Sequence, residues 1–285
     1  MHHMWCIALA LDGFMEQFLP TSNSVIAICS KYYVSMLLYR LGIEKVGHVP
    51  AALKEIAGNT NNFDYAQYRS DLFRYWDGGK IRNPELVINI DVLLPGTARI
   101  LNHPIWPLLS IPNPQENELV SLARNIEPGL QHYILKHDET TRTVSFKNLS
   151  RDRHWFNGGS SFRQMIDRCG LDELAALLIA TRAHEFQGAY RVSFYLRSII
   201  SEFFTEISKL PEFKIIVIPL YRQVHELFIG AIYKHPHKMD GMLDHIQRSF
   251  PGSLDHMLDH IERLLFRQMS QRSQYSQILK ENRTL

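Results

Sequence analysis

The sequence is poor in cysteine, and this scarcity limits how the protein can be stabilised. Its 285 residues include only Cys6, Cys29 and Cys169, which are widely spaced and form no CxxC pair. An odd, scattered set favours buried free thiols over a disulfide framework, a zinc site or a nucleophile. Apolar residues make up 45% of the chain, so a sizeable core can form without cross-links.

The sequence also lacks a long uninterrupted apolar run. Asp12 breaks the first apolar stretch, and Lys31 and Arg40 break the next one. A membrane-spanning helix needs about 20 predominantly apolar residues, so no membrane partner is predicted. The first residues lack the positive region of a signal peptide, and a cytoplasmic location is therefore expected.

A strong excess of either charge is absent too. Basic residues number 31 and acidic residues 29, for a net charge of +2. A protein devoted to nucleic acid is usually more basic. Any surface that binds nucleic acid must therefore be a local patch.

Glycine and proline divide the first part of the chain into predicted helices. Ser22 or Ser24 can cap a helix that runs to Leu41 and stops at Gly42, since serine satisfies free amides and glycine adopts positive φ. Further helices are predicted over 49–57, 65–77 and 84–94 by the same punctuation.

Four prolines crowd the segment 103–117 and predict a linker or an irregular wrap across a surface. Trp106 and its neighbours Ile105 and Leu108 indicate that part of this segment packs down. We place a soft domain boundary here, which divides the chain into residues 1–110 and 111–285.

The second part is predicted to be a helical bundle with a small hairpin. Alternating apolar residues flank a polar turn over 132–146 and predict two short strands. From Ser160 onward the pattern is helical, with Asp172 as a candidate cap. The stretch 213–233 allows either a strand or a helix, because β-branched residues at 215–218 precede Pro219.

A distinctive order of residues begins at the end of the third predicted helix and continues into the next one. Trp76 and Asp77 precede Gly79 and Lys80, and Pro84 opens the next helix. The second predicted helix, near 51–58, looks like the positioning helix that precedes a recognition helix. With it, the segment 50–94 resembles a phage-repressor-type (XRE) helix-turn-helix domain. In that family a recognition helix ends in tryptophan, an acidic residue and glycine.

The resemblance implies which residues would touch DNA. Polar side chains ahead of the tryptophan would face the major groove, and basic side chains after it would contact phosphates. The candidates for base edges are Gln67, Arg69, Ser70 and Arg74, and those for phosphates are Lys80 and Arg82.

A longer run, over 72–106, resembles a group of uncharacterised proteobacterial proteins. These share a Trp-x-x-Gly, Leu-Pro-Gly-Thr and His-Pro-Leu-Trp order. The corresponding residues here are Trp76 to Gly79, Leu94 to Thr97 and His103 to Trp106, with isoleucine in place of the leucine. The resemblance implies a bacterial protein and brings no activity with it.

Histidines near the C-terminus are the nearest approach to a metal site. His256 and His260 lie four residues apart and would share a helical face. Acidic and arginine residues beside them favour a solvated face laced with ion pairs. His184 and His225 are interpreted as core histidines, and no cofactor is predicted.

These observations predict a mainly α protein, with an N-terminal helix-turn-helix-like region and a C-terminal helical bundle that carries a small β-hairpin. The favoured function is a DNA-binding or regulatory protein of a bacterial system such as a mobile element, acting as a homodimer on duplex DNA. One alternative is a helical protein-interaction or structural module without DNA binding. A second is a helical metal-dependent or ribonuclease-like enzyme, although the sequence favours a non-enzymatic protein.

Overall fold

The protein is mainly helical with a small antiparallel hairpin, as the sequence predicts. The computed structural model describes residues 23–58, 65–112, 114–138, 140, 143–147 and 161–229. The helices are α1 (Asn23–Leu41), α2 (Val49–Ala57), α3 (Tyr65–Trp76), α4 (Pro84–Leu93), α5 (Thr97–Leu101), α6 (Ile105–Ser110), α7 (Glu116–Arg124), α8 (Pro128–Ile134), α9 (Ser161–Arg168), α10 (Leu171–Phe186), α11 (Tyr190–Ile207) and α12 (Val217–Val224). Short 3-10 helices cover Val46–His48 and Pro211–Phe213, and a π-helical turn covers His225–Ile229.

Helix α1 is one of two central helices. It is apolar around most of its circumference and buries residues on several faces, as a helix surrounded by others must. It contacts α3, α5, α6, α12 and the 3-10 helix Pro211–Phe213. The helix ends where predicted, because Gly42 adopts a φ of 64°.

Helix α10 is the second central helix. It contacts α6, α7, α8, α9 and α11 and buries a continuous apolar stretch from Leu174 to Ala180. Helix α6 contacts both α1 and α10. It therefore connects the helices packed around α1 with those packed around α10.

The linker interpretation of 103–117 is wrong for the part that forms α6. Ile105, Trp106 and Leu108 are completely buried, which confirms that this part packs down. Pro104 lies at the N-cap position, where its missing N–H costs nothing. The prolines thus initiate a buried helix.

The Trp106 side chain also fixes the chain before it. Its Nε1 donates a hydrogen bond to the carbonyl of Ile100 at 2.6 Å. Upstream, Asp91 accepts hydrogen bonds from the Thr97 hydroxyl and the Ala98 amide at the start of α5. The residues between Leu94 and Trp106 are therefore held by local hydrogen bonds.

The predicted hairpin is confirmed. Strands β1 (Leu135–Asp138) and β2 (Thr143–Phe146) are antiparallel, with Leu135 opposite Phe146 and His137 opposite Val144. The residues just before β1 belong to α8. In the ambiguous stretch after Phe213, the helical alternative is correct, since α12 begins at Val217.

The cap predicted at Asp172 is wrong. Gly170 occupies the N-cap position of α10, and the Asp172 carboxylate accepts a hydrogen bond from the amide of Glu127 at 2.8 Å. It also pairs with Arg99. Partners distant in sequence thus outcompete the free amides of its own helix.

The domain boundary near residue 110 stays a prediction. The buried apolar cluster includes side chains from both sides of it. None of the described helices is long and apolar enough to cross a membrane.

Candidate nucleic-acid interface

Helix α3 has one buried face and one exposed face. Tyr68, Leu72 and Tyr75 are buried, and the helix contacts α1, α2 and the 3-10 helix Val46–His48. Arg69, Ser70 and Arg74 are exposed. The three- and four-residue spacing of the buried positions assigns the polar side chains to the outer side.

Two glycines fix the turn that follows α3. Gly78 has a φ of 91°, and a Cβ there would lie 3.0 Å from the Ala27 Cβ on α1. At Gly79 a Cβ would lie 2.6 Å from the Arg74 Cγ, too close for any side chain. The turn therefore needs glycine both for its conformation and for its contacts.

Arg69 lies beside the 3-10 helix that precedes α2. Its guanidinium carbon is 5.8 Å from the centre of the Phe73 ring, and its Nη2 is 3.7 Å from the position of a Cβ on Gly47. No acidic partner of Arg69 is found among the described residues. Its charge is therefore available at the surface.

Arg74 belongs to a hydrogen-bonded network. Its Nη2 lies 2.7 Å from Oδ1 of Asp71, whose side chain is only 11% exposed. The other oxygen of Asp71 accepts a 2.8 Å hydrogen bond from the Asn83 amide group. Asn83 caps α4 by accepting from the Leu86 amide, so the network connects α3 to α4.

The segment after the turn adds two cations. Lys80 and Arg82 are exposed on either side of the buried Ile81. Asp77 and Glu85 are exposed in the same region, whereas Asp71 is buried beneath Arg74. From residue 69 to residue 85, the exposed charged side chains thus comprise four cations and two carboxylates.

The structure places the backbone of one remaining candidate residue, Gln67, and does not describe the two histidine candidates. Gln67 lies in α3, but its side chain is not among those that the structure describes. The weak metal candidates His256 and His260 fall outside the described residues. Where the chain is described, no group of histidine, cysteine and carboxylate side chains could hold a metal ion.

Sequence reasoning missed a buried charged cluster in the second part. Arg197 of α11 is buried, donates to the Phe228 carbonyl at 2.6 Å, and bonds to the side chains of Ser193 and Glu185. Arg182 of α10 bonds to Glu185 and to the Leu227 carbonyl. We call these four side chains the arginine cluster. The only sequence signal is charge within an apolar helical pattern.

Sequence reasoning also missed a buried histidine contact. His103 is 4% exposed, and its Nε2 lies 3.3 Å from Asp172. Its Nδ1 accepts from the Ile105 amide, whereas the buried Nε2 approaches Asp172 without forming a hydrogen bond. The contact joins the residue before the N-cap of α6 to the first turn of α10.

His184 makes stability depend on pH. The side chain is 2% exposed, and burial lowers the pKa of His184 from 6.5 to about 4. Because the folded pKa is below the unfolded one, the stabilisation is complete above pH 6.5 and is lost as the pH falls towards 4. The loss should reach about 3 kcal/mol, with burial of His103 acting in the same direction by lowering its pKa.

Urea unfolding between pH 7 and 4 tests this expectation. The variant His184→Gln should show a flatter dependence than the wild type over this interval. His48→Gln, at an exposed position, serves as the matched control. Equal slopes for all three proteins would contradict the assignment.

Comparison with known proteins finds no similarity that bears on this interface: no family model, no curated protein and no solved structure matches the chain.

Proposed function

We propose that the protein binds duplex DNA through one surface of its first part and acts as a regulator in a bacterial system such as a mobile element. This surface, the α3 face, consists of Arg69, Ser70, Arg74, Lys80 and Arg82. The observation that carries the proposal is the two-sided character of α3. Its apolar side is buried while its arginines and serine are exposed.

The chemistry of the α3 face suits duplex DNA. The major groove admits an α-helix, and α3 is supported from behind by α1 and on one side by α2. Ser70 and Arg74 can donate to base edges, whereas Lys80, Arg82 and the unpaired Arg69 can neutralise phosphates. Each of these roles requires the exposure that the side chains have.

The charge of the α3 face predicts a modest salt dependence. Arg69, Lys80 and Arg82 have no acidic partner among the described residues, whereas Arg74 is paired with Asp71. Three neutralised phosphates give a slope of about −2.7 for log affinity against log salt concentration. A homodimer that binds two half-sites would double this slope.

Substitution of the unpaired cations tests the proposal. The variant Arg69→Ala/Lys80→Ala/Arg82→Ala should bind a labelled duplex about ten-fold or more weakly and with a shallower salt slope. The control Arg124→Ala removes an exposed arginine from α7, which packs against α10 and α8. Equal losses in both variants would reject the α3 face.

The homodimer expected from the sequence belongs to the same proposal. Regulators of the helix-turn-helix type bind two half-sites about one helical turn apart. Sedimentation of the purified protein with and without duplex should show two protein chains per duplex. One chain per duplex would contradict this part.

A further inference from the structure

Arg69 and Arg74 differ in how firmly they are held. The stem of Arg74 packs on the turn, since a Cβ on Gly79 would meet its Cγ at 2.6 Å. Its head is tied to Asp71 at 2.7 Å and lies 5.3 Å from the centre of the Tyr75 ring. Arg69 has one ring contact, with Phe73. Arg74 is therefore the more restrained of the two.

Asp71 is itself held in place. It is buried, and its second oxygen accepts from the Asn83 side chain at 2.8 Å. Asn83 is fixed by capping α4, and its own amide donates to the Tyr75 hydroxyl at 3.3 Å. The position of the Arg74 guanidinium is thus defined by groups in both α3 and the start of α4.

The restraint leaves donors available. A guanidinium carries five N–H groups, the ion pair with Asp71 joins one nitrogen to one oxygen, and the Arg74 side chain is still 44% exposed. Because the pair is neutral overall, it adds little to the attraction of phosphates. The Arg74 guanidinium still offers directional N–H donors. Because Asp71 already orders it, little further conformational entropy is lost when these donors bind a ligand.

From these observations we infer that Arg74, positioned by Asp71, is the specificity-determining residue of the α3 face and reads a guanine. A planar pair of donors matches the O6 and N7 acceptors that guanine presents in the major groove. Arg69, Lys80 and Arg82 supply affinity through phosphates instead. The inference rests on the proposed function and adds a division of labour to it.

Selection from a library of duplexes randomised over about one helical turn tests the inference. The wild type should select a G·C pair at one position and discriminate there by about 10–100-fold. Arg74→Lys keeps the charge but not the fork of donors, so it should lose that preference alone. A preserved preference in Arg74→Lys would overturn the inference.

The variant Asp71→Asn separates positioning from charge. It removes the negative charge beside Arg74, so the salt slope should steepen by about 0.9 while discrimination at the same position falls. An unchanged slope and preference would overturn the role of Asp71. A thermal melt of each variant shows whether the fold is kept, and Arg74→Lys carries the test if Asp71→Asn does not fold.

A measurement on the free protein distinguishes this inference from the proposed function. Relaxation of the arginine side-chain nitrogens by NMR should show Arg74 ordered and Arg69 mobile. Equal mobility would contradict the positioning by Asp71 whether or not DNA is bound. Ordered Arg74 in a protein that binds no duplex would reject both the DNA function and the guanine assignment, and leave the ion pair as a structural contact.

Discussion

Replacing Arg197 with methionine should lower the free energy of unfolding by about 3–5 kcal/mol. Arg197 donates to the Phe228 carbonyl and, within the arginine cluster, to the side chains of Glu185 and Ser193. Methionine fills a similar length but donates nothing, so these acceptors lose a buried partner. Removing one member of a buried charged network costs this much because the others stay desolvated. Urea denaturation measures the change.

The matched control for this substitution is Arg222→Met on α12, where the side chain is exposed. Its effect should stay within about 0.5 kcal/mol. The double variant Arg197→Met/Glu185→Gln should be less destabilised than the sum of the single changes, because the two side chains share one network. Similar losses at Arg197 and Arg222 would contradict the structural role of the cluster.

Replacing Trp106 with alanine should cost about 3–5 kcal/mol, the range for deleting a large buried aromatic side chain. Trp106 is completely buried in α6, next to the Tyr32 ring of α1 at 6.2 Å between ring centres. Helix α6 also contacts α10. The cavity left by the indole would therefore lie at α6, the helix that packs against both α1 and α10.

Two further variants separate the contributions of Trp106. Trp106→Phe keeps most of the volume but loses the hydrogen bond to Ile100, and should cost about 1–2 kcal/mol. Trp76→Ala removes a partly buried tryptophan and should cost less than Trp106→Ala. The reverse order in thermal unfolding would show that α6 is not the junction described.

The ends of helices α1, α2 and α3 and the start of α4 are predictable from the sequence because local chemistry sets them. Gly42, Gly58 and Gly78 all adopt positive φ, a conformation that glycine reaches without strain. Pro84 begins α4 and Asn83 caps it. These helix ends depend on residues that are neighbours in the sequence, so the pattern of glycine, asparagine and proline is enough to predict them.

The errors occur where distant partners decide the outcome. Asp172 was expected to cap α10, but its carboxylate is used by the Glu127 amide and Arg99. The proline-rich segment 103–117 was expected to be a linker, but the burial of Trp106 makes part of it a core helix. Tertiary packing sets both outcomes. Glu127 and Arg99 are distant from Asp172 in the sequence, and Trp106 packs beside Tyr32, which is also distant.

For the candidate site, the sequence predicts which side chains are exposed on α3 but not how they are hydrogen-bonded. Helical spacing alone assigns Arg69, Ser70 and Arg74 to the outer side of α3. The pairing of Arg74 with Asp71 has the three-residue spacing typical of helical ion pairs and is therefore predictable from the sequence. The contact of Asp71 with Asn83 depends on how α3 meets α4, which the spacing does not define.

The most direct test of the DNA-binding proposal is the titration of a labelled duplex, including the region upstream of the coding sequence, with the purified protein across a series of salt concentrations. Saturable binding is expected at low salt, with a slope of log affinity against log salt concentration of about −2.7 per protein chain. The slope should become shallower when Arg69 is replaced by alanine. Absence of binding at low salt, or binding that is independent of salt and of Arg69, would contradict the DNA-binding proposal.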